Sequence, residues 1–315
     1  MAAMSEFSFP PPRRIDHCVL PVADLGMARR RLTSLGFLVA PDGAHPFGTA
    51  NCCVYLADGT FLEPLAQADD RDEREAARRG NMFTARDLAY RYRNGEEGFS
   101  ALVFDTEDAA ADHAEFVEAG FSGGNILDFS RGFTDASGKT DKASFRLAFA
   151  ADWRAPDCFF FTCQRVRVPV VDRSALQMHG NGATRIKGIV LAAPHGSDFA
   201  DFVLAAANVA SAEVDRDATR IKAENAVIEL LEGRAMKDRF GVSLPADRGP
   251  ADRGPAGRGP ADQGLRLHAI RFGVREMGQT EALLRNAGII YEKRDGGLVV
   301  HPAPGQGAIF VFEAE

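Results

Sequence analysis

The sequence predicts an α+β protein assembled from four copies of one unit: a strand, a helix and then further strands. Three observations point to it. The stretch Arg14 to Asp24 places Ile15, His17, Val19 and Pro21 on one face of a strand, because side chains alternate with period two. Asp24 then stands where a helix N-cap belongs, since its carboxylate can accept the free amides of a first turn running on to about Leu35. The same succession restarts near Phe99, near Thr184 and near Leu265.

In unit one, Gly36–Ala40 reads as a short strand, Pro41–Ala50 as a Gly- and Pro-containing loop, and Asn51–Leu56 as a strand. Asp58-Gly59 is a hairpin signal before the strand Thr60–Leu65. Asp69–Tyr92 is charged and helical and reads as a connector. Unit two has a strand at Phe99–Phe104, a helix at Glu107–Ala119, and strands near Asp128–Phe133, Ser144–Ala150 and Cys158–Arg165. Unit three has a strand at Thr184–Leu191, a helix near Asp198–Asn208 and a strand at Ala226–Leu231. Unit four has a strand at Leu267–Phe272, a helix at Glu276–Asn286 stopped by Gly288, and strands at Leu298–His301 and Ala308–Glu313.

The length of 315 residues suits two domains. The expected division is a tail at 1–12, a first domain at 13–168, a connector at 169–183 and a second domain at 184–315. A flexible Gly/Pro linker, an imperfect Ala-Asp-Arg-Gly-Pro repeat, falls at 245–264. The apolar share of 45% and the charged share of 26% are ordinary for a globular chain. A net charge of −7 argues against nucleic acid or an anionic membrane as partner. With no signal peptide and no bilayer-spanning run, a cytoplasmic location is expected. The five cysteines are odd in number and lack zinc-ribbon spacing, so reduced core thiols are expected.

Four such repeats resemble the vicinal oxygen chelate (VOC) superfamily, and the N-terminal half resembles the glyoxalase-like domain family more narrowly. The residues behind this are Ile15–Leu20, His45–Asn51, Asp58–Glu63, Phe160–Gln164 and His179–Ala183. The resemblance implies that units pair and curl into two half-open mixed or antiparallel β-barrels with helices outside. It also implies a divalent metal (Ni, Co, Zn, Mn or Fe(II)) held by the first and last strands of the units. Imidazole and carboxylate donors suit such ions.

Aligning the units places Ser100, Gly188 and His268 at the His17 position, and Glu229 and Glu313 at the Glu63 position. Only units one and four then carry both a His and a Glu. If those two pair across the chain, His17, Glu63, His268 and Glu313 form one metal site, with Glu63 and Glu313 as candidate catalytic carboxylates. If the units pair in chain order, each half holds an incomplete set. His45, Thr49 and Asn51 are the candidate substrate-binding residues, with Gly48 allowing a close backbone approach.

The expected function is that of a metal-dependent lyase or isomerase. It would act on a small substrate with vicinal oxygens through an enediolate. The alternatives are an extradiol-type Fe(II) dioxygenase and a protein that binds or sequesters a small molecule without chemistry. Either a monomer with internal pseudo-dimer symmetry or a homodimer is compatible with the repeats.

Overall fold

The computed structural model describes residues 11–134, 140–169, 172–244 and 264–315. The linker expected at 245–264, Gly264 excepted, and the first ten residues of the expected tail lie outside these. Unit one begins with β1 (Ile15–Pro21) and α1 (Leu25–Ser34), whose N-terminus is capped by the Asp24 carboxylate accepting from the Met27 amide. Then come β2 (Gly43–Ala44), β3 (Thr49–Asn51), β4 (Val54–Tyr55) and β5 (Phe61–Gln67). The charged connector is two helices, α2 (Asp70–Arg78) and α3 (Met82–Asn94), capped by Asp69 and Asn81 and separated by Gly80 at φ +90°.

Unit two is β6 (Ala101–Thr106), α4 (Ala109–Glu118), β7 (Leu127–Thr134), β8 (Thr140–Ala151) and β9 (Phe159–Arg167). Unit three is β10 (Ala183–Ala192), α5 (Ala200–Ala207), β11 (Glu213–Val214), β12 (Ala218–Lys222) and β13 (Val227–Leu231), followed by α6 (Gly233–Phe240). Unit four is β14 (Arg266–Val274), α7 (Met277–Asn286), β15 (Glu292–Arg294), β16 (Gly297–Val300) and β17 (Ile309–Ala314).

These strands make two mixed, barrel-like sheets. The first runs β2-β3-β5-β1-β6-β9-β8-β7, with β4 also on β5, and the second runs β11-β12-β13-β10-β14-β17-β16-β15. Units therefore pair in chain order, one with two and three with four, and the crossed pairing of units one and four is not formed. Consecutive units join through antiparallel contacts of their first strands, β1 with β6 and β10 with β14, as short connections favour.

The unit helices α1, α4, α5 and α7 lie on the outer faces. There a single apolar core joins the halves, including Leu32, Phe116, Phe202 and Leu284. Gly36–Ala40 is not a strand. Its Phe37 is an anchor instead, buried against Phe272, Phe310 and Phe312 of the second sheet with ring centroids 5.3, 6.1 and 6.0 Å away. His179 braces the same junction by accepting from the Leu38 amide and donating to the Tyr55 carbonyl, each at 3.0 Å. All five cysteines are buried and free. Among the described residues no helix is long and apolar enough to cross a membrane.

The register fixes which residues correspond. His17 lies beside Phe61 and Val19 beside Glu63. The same pair of relations recurs as Val103–Phe161 and Asp105–Cys163, as Gly188–Val227 and Val190–Glu229, and as Arg271–Val311 and Gly273–Glu313. Across each sheet His17 faces Val103, as Gly188 faces Arg271. The equivalents of His17 are thus Val103, Gly188 and Arg271. Ser100 and His268 each stand three residues away, Ser100 before the start of β6 and His268 as the extra residue of a bulge between Leu267 and Ala269.

Candidate functional site in the first sheet

The inner face of the first sheet bounds a hollow that is open to solvent. Phenylalanine rings dominate its wall: Phe61 on β5, Phe129 on β7, Phe145 on β8 and Phe161 on β9, with Phe83 of α3 and Phe47 closing one side. The polar groups converge on one point of this wall, around Glu63.

A β-bulge in β1 sets up the centre. Ile15 pairs with Phe104 but His17 pairs with Val103, so Asp16 is the extra residue. Ile15 remains in the outer core, while both Asp16 and His17 line the hollow. His17 stacks on Phe61 at 4.3 Å and meets Phe161 edge-on at 5.9 Å, which fixes the plane of its ring. Its Nδ1 lies 2.6 Å from Asp16 Oδ2, and its Nε2 lies 3.2 Å from Glu63 Oε2. Burial disfavours a charged imidazole, but the hydrogen bonds to Asp16 and Glu63 outweigh it and raise the His17 pKa above its ordinary value. The other Asp16 oxygen takes Arg165 Nη2 at 2.6 Å. Against the penalty of burial, His17 and Arg165 hold Asp16 below the usual carboxylate range.

Glu63 is held from two sides. Asn51 Nδ2 donates to its Oε1 at 2.5 Å, and His17 holds its Oε2. Burial works against its charge, yet His17, His45 and Asn51 together bring its pKa down to about 2.

His45 approaches from the loop between β2 and β3. Its Nε2 is 3.7 Å from Glu63 Oε1, beyond a hydrogen bond, while its Nδ1 lies 2.9 Å from Thr49 Oγ1. Phe47 stacks on its ring at 5.1 Å. Burial lowers its pKa to about 4, so the imidazole is neutral at pH 7. Thr49 Oγ1 can donate to or accept from Nδ1; in the tautomer that carries the proton on Nδ1, Nε2 presents a lone pair to the hollow.

The role of Gly48 differs from the one expected. Gly48, at φ +87°, accepts the amides of Ala68 and Asp69 at 2.9 Å each, and a Cβ there would sit 2.5 Å from the Asp69 carbonyl. The close approach it permits is that of α2, not of a ligand.

His17, Glu63, His45, Thr49 and Asn51 are thus brought together, Thr49 behind His45 rather than at the hollow's surface. His268 and Glu313 are not among them, so the expected four-ligand set is not formed. His268 sits on the second sheet in a separate crevice with Tyr90, Asp157 and Arg266, its pKa lowered to about 4 by burial and by the Arg266 charge. Glu313 is paired with Arg271 Nε at 2.7 Å.

Unit two contributes Val103, Phe161 and Cys163 at the corresponding positions, none of which pairs with the centre. Asp16, Arg131, Arg165 and Arg173 were missed by the sequence reading. The bulge that turns Asp16 inward and the register that brings in Arg165 leave no local signature.

The profile of the glyoxalase-like domain family matches residues 15–206. The chain belongs to the glyoxalase-like domain family. It carries the VOC arrangement of paired units that this family and its structural neighbours share. Among curated proteins none matches the sequence significantly.

Similar solved structures span nearly the whole chain. A hypothetical protein from Staphylococcus aureus has TM-score 0.62 at 13% identity, covering 96% of this chain and 99% of its own. A mutant 4-hydroxymandelate synthase from Streptomyces coelicolor has 0.55 at 15%, covering 97% and 94%. The Mn(II)-bound glyoxalase from Novosphingobium aromaticivorans has 0.51 at 11%, covering 96% and 82%. At such identities they establish the fold alone.

The superfamily resemblance implies a metal, and the residues can be tested against it. Two imidazoles and a carboxylate are suitable donor types. Their arrangement is not that of a chelate. His17 Nε2 and His45 Nε2 address opposite oxygens of Glu63, and one of those oxygens is taken up by Asn51. Among the described residues no three His, Cys, Asp or Glu side chains are disposed to hold an ion. The donor set does not fit, and the chemistry below uses protein groups only.

Proposed function

We propose that the protein is a glyoxalase-type isomerase or lyase whose reaction runs in the hollow of the first sheet. It would move a proton between adjacent carbons of a small substrate bearing vicinal oxygens. The observation that carries this reading is the convergence of two imidazoles of opposite protonation tendency on one carboxylate inside an aromatic wall.

His45 Nε2 is the proton acceptor. Neutral above about pH 4, it can take a proton from the hydroxyl-bearing carbon next to the carbonyl and return it to the former carbonyl carbon, while the hydroxyl proton passes to the other oxygen. His17, hydrogen-bonded to Asp16 through Nδ1, would share the Nε2 proton it gives Glu63 with the substrate oxygen on which negative charge builds. Glu63 is a positioning group. At a pKa of about 2 it is too weak a base for the transfer, but it holds the His17 proton in place. The phenylalanine wall excludes water and strengthens these interactions.

The test is exchange of the methylene protons of 2-hydroxyacetophenone in D2O, followed by proton NMR. Catalysed exchange that His45→Ala abolishes is expected. Binding of the compound with no exchange would leave the aromatic hollow as a binding site without chemistry. That is the second reading, which the six phenylalanine rings around the hollow favour.

A further inference from the structure

Two guanidinium groups at the hollow have no part in the scheme above. Arg131 on β7 lies over the Phe145 ring, 5.8 Å from its centroid. Arg173 comes from the segment joining the two halves, just before a single 3-10 turn at Ser174–Gln177, and lies 4.4 Å over the Tyr55 ring. Both line the same hollow as His17 and Glu63.

The charges facing the hollow do not balance. Asp16 is matched by His17 and Arg165, and Glu63 by His17 and Asn51. Among the described residues no carboxylate pairs with Arg131 or Arg173. Each guanidinium lies over an aromatic ring, and its N–H groups are not taken up by a carboxylate of the described residues. Arg131, Arg173 and Tyr55 all line this hollow.

We propose that Arg131 and Arg173 form an anion subsite, and that the substrate is a small organic carboxylate whose apolar body lies along the phenylalanine wall. The proposal rests on the reading that this hollow is the substrate site. A planar carboxylate matches the guanidinium fork in two parallel hydrogen bonds. An aryl ring lying along the phenylalanine wall can carry a polar group at each end, one toward the histidines and one toward the arginines. The vicinal oxygens would meet His17 and His45, and the carboxylate would meet the two arginines at the rim.

The probes are 4-(hydroxyacetyl)benzoate and its neutral counterpart 4-(hydroxyacetyl)benzamide, titrated calorimetrically into the full-length protein. The acid is expected to bind at least tenfold more tightly than the amide. Arg131→Gln and Arg173→Gln should each weaken the acid about tenfold while leaving the amide unchanged, so amide binding doubles as the control for folding. Arg→Lys at either position should keep part of the preference.

Equal affinity of acid and amide, with amide binding still lost in His17→Ala, would overturn the anion subsite and leave the site reading standing. Failure of both compounds to bind would overturn both.

Discussion

The two sheets share one architecture and differ at one residue pair in a way that decides what each interior can do. In the first sheet His17 faces Val103 across the centre; in the second, Gly188 faces Arg271. Arg271 reaches Glu229 Oε2 and Glu313 Oε1, each at 2.7 Å, while Arg220 and Arg239 close on Glu229 from outside. Gly188 is what makes room for this: a Cβ there would lie 2.9 Å from the Val227 carbonyl and 3.4 Å from Arg271 Nη1. Burial works against the Glu229 charge, but three guanidinium groups hold it below the usual carboxylate range. Met236 and Phe240 of α6 then fill the rest of the interior.

The carboxylate position is thus kept in both halves. An imidazole beside it leaves an open hollow with titratable groups on its wall. A guanidinium beside it satisfies the carboxylates permanently, and the interior serves packing.

The largest expected effect separates the halves by activity. His45→Ala or His17→Ala should slow proton exchange by roughly 10²–10⁴-fold, the usual worth of a positioned acid or base. Glu313→Gln should leave the rate unchanged, and NMR exchange rates of the three variants check this. A comparable loss in Glu313→Gln would erase the distinction.

The reverse holds for stability. Arg271→Ala removes one of the three guanidinium partners of the buried Glu229 and the nearest partner of Glu313, and should cost about 3 kcal/mol in urea unfolding. A change below about 1 kcal/mol would mean that the cluster is solvated.

Packing gives a similar or slightly smaller effect. Met236→Ala should cost about 2–5 kcal/mol if α6 truly fills the second interior.

A pH effect is next. His45 has a folded pKa of about 4 against an unfolded value near 6.5, so the unfolded chain binds the extra proton between those values. Stability contributed by neutral His45 is complete above about pH 6.5 and is lost as pH falls toward 4, by up to about 3 kcal/mol. His45→Gln should flatten that part of the pH–stability curve. The exchange rate should also rise from about pH 4 and fall where His17, whose pKa is raised, loses its proton.

The smallest effect is none. Prolonged treatment with a chelator should not alter the exchange rate, because the donors are not arranged as a chelate. Loss of rate that a divalent metal restores would contradict this.

Much of this architecture is legible in the sequence. Period-two strands, the Asp24 cap and the recurrence of the unit point to the observed elements. The loop at His45–Asn51 stands out by its glycine and its polar side chains. What escaped was register. Ser100 and His268 attract attention because they are polar near strand starts, yet hydrogen-bonded pairing places Val103 and Arg271 at the centre, three residues on.

Pattern alone also cannot reveal a bulge. Strict alternation puts Asp16 on the face opposite His17, whereas the extra residue turns both inward. Arg131, Arg165 and Arg173 come from segments far apart in the chain, so only the closed sheet brings them to one hollow. The helix α6, in which Ala235, Met236 and Phe240 have helical spacing and which Gly241 ends in the left-handed region, was not expected because it follows the last strand of unit three, outside the repeated pattern.

The most direct measurement is ¹⁵N NMR of the histidine side chains during titration with 4-(hydroxyacetyl)benzamide. Shifts at the ring nitrogens of His17 and His45, with His268 unmoved, are the result expected if the first hollow is the working one. Shifts at His268 with His17 and His45 silent would contradict it.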